Sequence, residues 1–380
     1  MKMNTAFRLS ILFMLFLALF VSSPVKAADI EPLNIGDSAP DFNLPGVDGK
    51  TWSLKDFEDA DILTIIFTCN HCPTAQAYED RIINLVSDFK DKGVAFVAIS
   101  PNSPKALALQ ECSYSDLNDD FEAMKIRAES KDFNFPYLYD GETQAASKAY
   151  GPQTTPHVFV FDEERKLRYR GRIDDTENPY KEPENQDTRE TLKALLNDQP
   201  VPRKTTPTFG CSIKWESKKD WVQRLNQQWA EKPVELEIIV LQSVKELINQ
   251  PSDNLRLFNF WATWCGPCVI EFPELVKIHR IYQNRDFELV TVSTDRARHE
   301  DKVLDFLKEK DAAVTNYLYK PDNIYDLIDT VGHGWNGSIP FSLLISPEGK
   351  VLARYKGVID PLTVKRDIIG YLGRFYADDE

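Results

Sequence analysis

The sequence is short of positive charge. Lys and Arg total 45 against 59 Asp and Glu in 380 residues, a formal charge of −14. A generic phosphate-binding surface needs the opposite, a clustered positive field, so no nucleic acid is expected among the partners. Low-complexity bulk is missing as well. With 42% hydrophobic, 27% charged and 11% aromatic residues, the composition is that of an ordinary globular protein with ample material to bury. Beyond residue 27 no stretch approaches the run of about 18 apolar residues that a membrane span requires, and no transmembrane segment is expected there.

The first 27 residues read differently. Lys2 and Arg8 precede an apolar run, Leu9 to Val21, which is followed by Ser22-Ser23-Pro24-Val25-Lys26-Ala27. A run this short, with small residues at Val25 and Ala27, has the form of a secretory signal peptide cut after Ala27. No cysteine follows the cut to accept lipid, and loss of Lys2, Arg8 and Lys26 takes the formal charge to −17. The expected product is periplasmic or otherwise exported, outside the reducing cytosol.

Six cysteines follow, at 69, 72, 112, 211, 265 and 268, and four of them form two C-x-x-C pairs. Outside the cytosol, close thiols are either a static framework or a dithiol centre that partners keep cycling. A framework stabilises small domains without a core, and this chain has long apolar segments. Cys112 and Cys211 have three open readings: free buried thiols, a bridge to each other, or exchange of Cys211 with the Cys69/Cys72 pair.

Periodicity places both pairs in the same context. The apolar run 62–67 leads into Cys69, and a helical pattern follows through Tyr78, Ile82, Leu85, Val86 and Phe89. Downstream, 255–261 is strand-like, Cys265 follows, and Ile270, Leu275, Ile278 and Ile281 mark a helix. Further strands are expected at 94–99, 158–161, 167–169, 287–292, 341–345 and 351–355, with helices near 119–129, 215–229 and 361–372. Thr155-Pro156 lies between Cys69 and the end of the first repeat, and Ile339-Pro340 lies similarly after Cys265. Each proline directly precedes a strand, where it serves as punctuation or as a cis turn. The stretch 197–210, with Pro200, Pro202 and Pro207, reads as a surface-wrapping tail or a linker. The acidic run 174–187 reads as a solvated loop. At about 150 residues per domain the chain divides into a signal peptide at 1–27, a first domain at 33–215, a linker helix at 216–232 and a second domain at 233–376.

A cysteine in the first turn of a helix sees unpaired N–H groups and the positive end of the macrodipole, which favour the thiolate. A second thiol three residues on can then resolve the mixed disulfide. On this spacing Cys69 and Cys265 attack, while Cys72 and Cys268 resolve. Asn70-His71 sets an imidazole beside the first sulfur. A protonated His71 makes that centre the more oxidising one, so electrons would run from the second domain to the first. Glu271, three residues beyond Cys268, shares its helix face and is placed to move its proton; Ala75 holds the matching place in the first domain.

The segments Phe260-Trp261-Ala262-Thr263-Trp264-Cys265-Gly266-Pro267-Cys268 and Glu271-Phe272-Pro273 resemble the TlpA/ResA-like branch of thioredoxin-fold disulfide reductases, over about residues 235–375. The first domain is similar to the redoxin (AhpC/TSA-type) thioredoxin-like proteins. Its likeness runs from Ile35-Gly36-Asp37-Ser38-Ala39-Pro40-Asp41-Phe42 through Phe67-Thr68-Cys69-Asn70-His71-Cys72-Pro73 to Gly210-Cys211-Ser212-Ile213-Lys214-Trp215. The resemblance implies an α/β fold of two tandem thioredoxin-like domains, each a central mixed sheet flanked by helices. It also implies cis peptide bonds at Pro340 and Pro156, and Glu271 as the active-site carboxylate. The expected function is exchange of dithiols and disulfides with client proteins, supplied by a membrane dithiol donor and needing no bound cofactor.

Two other functions compete. Peroxiredoxins carry P-x-x-x-T-x-x-C, but Ile62 and Ile66 stand at those places for Cys69, and Ile65 and Cys69 for Cys72. A thiol peroxidase is therefore the lesser enzyme reading. Cys69, Cys72, His71 and His157 offer soft ligands for Cu(I), as in Sco-like copper chaperones, although those space their cysteines by three residues rather than two.

Overall fold

Two sheets of the same order organise the chain. The computed structural model describes residues 30–320 and 323–376; the signal-peptide reading of residues 1–27 lies outside them. After a short hairpin, β1 (Asn43–Pro45) and β2 (Thr51–Ser53), the first sheet is built from β3 (Ile62–Phe67), β4 (Val94–Ser100), β5 (Tyr137–Tyr139), β7 (His157–Phe161) and β8 (Leu167–Gly171). Its order is β5-β4-β3-β7-β8, with β3, β4 and β5 parallel and β7 and β8 antiparallel. A separate pair joins β6 (Thr154–Thr155) to β9 (Cys211–Ser212).

The second sheet uses β10 (Glu237–Ile239), β11 (Leu255–Trp261), β12 (Phe287–Ser293), β13 (Thr315–Tyr319), β14 (Phe341–Ile345) and β15 (Val351–Lys356), ordered β10-β13-β12-β11-β14-β15. The antiparallel β14 and β15 again follow the central strand, and β10 is an added parallel edge. Two parallel strands, β5 at the edge of the first sheet and β13 beside the edge strand β10 of the second, escape the sequence reading. Tyr137–Tyr139 is three residues long, and Thr315–Tyr319 alternates polar with aromatic residues instead of forming an apolar run.

Alternation puts successive residues of each strand on opposite faces. In β3, Ile62 and Ile66 pack with Tyr78, Ile82 and Leu85 of α1 (Pro73–Phe89), whereas Leu63, Ile65 and Phe67 pack with Tyr150 and Phe159 on the other face. In β11, Leu255 and Leu257 meet Leu275 and Ile278, while Phe258 and Phe260 meet Val290 and Phe341. Both faces of each sheet are therefore covered, which is why the central strands read as unbroken apolar runs.

From Glu31 onward the described residues form one compact unit. Leu107 and Cys112 of the first lobe sit in the core cluster of Leu275, Ile278, Ile281 and Tyr282. The Tyr282 hydroxyl donates to Ser115 O at 2.9 Å, and Arg285 donates to Ser113 O at 3.2 Å. The buried Asp116 receives Arg374 at 2.9 Å and Arg366 at 3.3 Å from the second lobe, and Arg127 of its own lobe at 3.8 Å.

The stretch 197–210 wraps the first lobe: Arg170 N donates to Lys204 O and Thr206 N donates to Arg170 O. The acidic run departs from the expected solvated loop at both ends. Asp174 is buried against Arg81 and Tyr78, and Asp187 is buried between Arg172 and Arg203. These carboxylates fasten the loop because each has a guanidinium partner that offsets desolvation.

Asp116→Ala leaves Arg127 buried with one fewer partner and unpins the lobes. It should cost about 2 kcal/mol, less than the loss of a fully buried pair because Arg366 and Arg374 are part-exposed. Denaturant unfolding of the full chain measures this.

Candidate active site: two sulfurs capping two helices

Each central strand delivers its chain to the start of a helix, and in each a cysteine is the N-cap. Cys265 caps α7 (Gly266–Tyr282), with Cys268 N donating to its Sγ at 3.2 Å. In α1 the N-cap is Cys72, whose Sγ accepts from Ala75 N at 3.4 Å. Pro73 sets this start, since proline at the first helical position lacks only an N–H that would go unused.

The sheet register gives the same equivalence. Phe67 pairs with His157 just after Pro156, and Phe260 pairs with Phe341 just after Pro340; both prolines follow cis peptide bonds. Five residues on from Phe67 and Phe260 lie Cys72 and Cys265. Their sulfurs also face equivalent backbone, Cys72 Sγ at 3.2 Å from Thr155 O and Cys265 Sγ at 3.6 Å from Ile339 O. The expected pairing of Cys69 with Cys265 is thus corrected by three residues. Cys69 corresponds to Ala262, Ala75 to Cys268, and Tyr78, not Ala75, to Glu271.

The second centre holds a Cys265–Cys268 disulfide. Glu271 is buried on the same helix, accepting from Asn259 Nδ2 and Ile359 N, both at 2.9 Å. Burial raises its pKa above the usual carboxylate value despite those two donors.

The first centre is more enclosed. Cys69 and Cys72 are 2% and 0% exposed, against 5% for Cys265, so the Cys69 sulfur is not presented at the surface as a helix-start nucleophile would be. Its Sγ lies 3.1 Å from Thr155 Oγ1 and 3.5 Å from His71 Nδ1. Burial would raise the Cys72 pKa, but hydrogen bonds from the Cys211 and Cys69 thiols, the His71 charge and the Ala75 N–H bring it well below the ordinary thiol value. Burial and the Cys72 partner push Cys69 well above that value. Of these sulfurs, Cys72 is the one whose surroundings most favour the thiolate. Cys112 is buried in the lobe interface, where desolvation keeps it a thiol.

Asp119, absent from the sequence reading, holds this arrangement. Its carboxylate accepts from Asn70 N and His71 N at 2.9 Å, from Asn102 Nδ2 at 2.7 Å and from His71 Nδ1 at 2.5 Å. Burial would lower the His71 pKa, yet the Asp119 charge and hydrogen bond raise it; burial would raise that of Asp119, yet His71 and the other donors lower it. Sequence gives one faint signal: in Asn118-Asp119-Asp120, Asp120 caps the helix Phe121–Ser130, leaving Asp119 without a capping role.

Cys69 Sγ, a His71 nitrogen and an Asp119 oxygen lie within 4.8 Å of one another and could hold a metal ion. The soft set expected for Cu(I) is not the set assembled: His157 is elsewhere, its Nδ1 accepting from Gln153 N at 3.1 Å and its ring 4.5 Å from that of Phe159. Burial pushes His157 down to about 3, and a carboxylate takes its place beside Cys69, a harder ligand than Cu(I) selects.

The repeated sheet order and the two helix-capping sulfurs define a tandem thioredoxin-fold protein. The AhpC/TSA family matches residues 35–170 and again 242–368, more than half of the sequence, and the chain belongs to that family. A segment of 114 residues is 30% identical to the thiol-disulfide oxidoreductase ResA of Bacillus cereus, covering 30% of this chain and 59% of that protein. The thiol:disulfide interchange protein HelX of Rhodobacter capsulatus is 28% identical over 116 residues, again 30% of this chain and 59% of that protein. The chain spans between 52% and 66% of the length of such curated relatives. Among solved structures, an uncharacterized conserved protein from Geobacillus kaustophilus is 40% identical, covering 48% of this chain and 92% of that one at a TM-score of 0.43.

The His71–Asp119 pair makes stability depend on pH from both sides. The depressed Asp119 contributes above the ordinary carboxylate value near 3.9 and loses its contribution as pH falls through its folded value. The raised His71 contributes below about 6.5 and loses its contribution as pH rises through its folded value. The stability gap between wild type and Asp119→Asn, about 3 kcal/mol for a broken buried pair, should therefore be widest between about pH 4 and 6.5 and shrink outside that window. Urea midpoints across pH check it.

Proposed function

We propose that the chain is an exported thiol-disulfide oxidoreductase with one redox centre in each lobe, the first within residues 33–215 and the second within 233–376, linked by the helix Lys219–Ala230. The observation that carries this reading is the sulfur at each helix N-cap beside the backbone carbonyl that precedes a proline, Cys72 at Thr155 and Cys265 at Ile339. The free N–H groups at the helix N-cap stabilise such a sulfur as the thiolate, the form that exchanges. The names of ResA and HelX support the same chemistry.

The second lobe holds the fuller C-x-x-C apparatus and acts as the reductant of client disulfides: Cys265 attacks, Cys268 resolves, and the buried Glu271 moves the resolving thiol's proton. The first lobe is the more oxidising centre, because His71⁺ and the donors around Cys72 favour its reduced, ionised form. Electrons pass from a membrane dithiol donor to the second lobe, and the first lobe accepts electrons from dithiols. Among the described residues no helix is long and apolar enough to cross a membrane.

An insulin reduction assay and a peptide-dithiol oxidation assay on the full chain test the assignment. Cys265→Ser should abolish insulin reduction and spare dithiol oxidation, Cys72→Ser should do the reverse, and Glu271→Gln should slow insulin reduction about 100-fold, the low end for a general acid–base step. Unimpaired insulin reduction by Cys265→Ser contradicts it.

A further inference from the structure

Three sulfurs meet in the first lobe. Cys211 packs against Cys69, Cys72 and Ala75, and its N–H donates to Cys72 Sγ at 3.3 Å. Cys69 and Cys72 are buried, whereas Cys211 is part-exposed. Ala75 stands where the second lobe has its resolving cysteine, so a partner for Cys72 must come from outside α1.

The backbone brings Cys211 to that place and holds it there. Cys211 pairs with Thr155 in the short β6–β9 ladder. Gly210 before it has φ +132°, and a Cβ there would lie 2.1 Å from Thr155 O; only glycine permits this approach. Downstream, Lys214 N donates to Asn102 Oδ1 at 2.8 Å, and Asn102 in turn donates to Asp119. The strap bearing Cys211 is thus tied to the carboxylate that positions His71.

We propose that the working redox pair of the first lobe is Cys72 with Cys211, that Cys211 is the sulfur an incoming protein dithiol meets, and that Cys69 is a positioning residue donating a hydrogen bond to Cys72. This rests on the reading of the first lobe as a dithiol–disulfide centre. In the oxidised state Cys72 and Cys211 share an S–S bond. A partner thiolate attacks Cys211 Sγ; the partner–Cys211 bond forms, the Cys72–Cys211 bond breaks, and the electron pair leaves on Cys72. A well-stabilised thiolate leaves faster, and Cys72 retains the Ala75 and Cys211 N–H groups and the Cys69 thiol as donors. The partner's second thiol then attacks its own mixed-disulfide sulfur, closing the partner's disulfide and releasing Cys211. Two electrons reach the Cys72/Cys211 pair; of the partner's two protons, one ends on Cys211 and one goes to solvent.

Disulfide mapping tests this in the full chain carrying Cys265→Ser and Cys268→Ser, which silence the second centre. The protein is oxidised with glutathione disulfide, free thiols are alkylated, and digested peptides are identified by mass spectrometry. A cross-link between the Cys72 and Cys211 peptides is expected, kept in Cys69→Ser and lost in Cys211→Ser. A bridge only between Cys69 and Cys72, unchanged by Cys211→Ser, overturns the proposal while leaving the first lobe a dithiol centre. No bridge among the three overturns both.

Discussion

A sulfur in the N-cap position is the constraint on which both sites depend. The N-cap normally holds an oxygen that accepts the helix's free N–H groups; here a cysteine does so, and the same N–H groups that complete the helix stabilise the thiolate. Chemistry and helix start are coupled, because moving the cap moves the reactive atom. The central strand fixes where the cap falls, since β3 and β11 are each hydrogen-bonded to a neighbour on both sides and buried on both faces.

The two lobes use that constraint differently. In the second, the partner thiol lies one helical turn inside α7, and a buried carboxyl group serves it. In the first, that turn offers Ala75, and the surrounding thiols come from the loop before the helix and from a strap 139 residues along the chain from Cys72. The electrostatic support is also non-local: Asp119 reaches His71 across 48 residues and fixes the Asn70–His71 backbone with the same carboxylate. The lobes are held together by Leu107 and Cys112 in the second lobe's core, by the Asp116–arginine cluster and, at the start of α1, by Thr74 Oγ1 against the Tyr376 hydroxyl at 3.1 Å.

Much of this was legible in the sequence. The buried runs of β3 and β11, the strand-to-helix placement of the cysteines, the tandem repeat and the prolines at 156 and 340 follow from periodicity and resemblance. The identity of spelling between Cys69-x-x-Cys72 and Cys265-x-x-Cys268 concealed a three-residue offset. The decisive cue is proline position: Pro73 follows the second cysteine of its pair, so the helix begins there, whereas Gly266-Pro267 lies between the cysteines of the other. Asp119, Asn102 and Thr155 were not legible, because their roles exist only once β4, α2 and β7 stand beside the α1 start; α2 here is Phe121–Ser130. The short parallel strands β5, β10 and β13 were missed because neighbours, not their own patterns, define them.

The most direct measurement is an ultraviolet titration of thiolate absorbance in the reduced full chain bearing Cys265→Ser and Cys268→Ser. The account predicts one thiolate that persists well below the ordinary thiol pKa of about 8.5 and vanishes in Cys72→Ser. A low-pH thiolate that survives Cys72→Ser and is abolished by Cys69→Ser would contradict it.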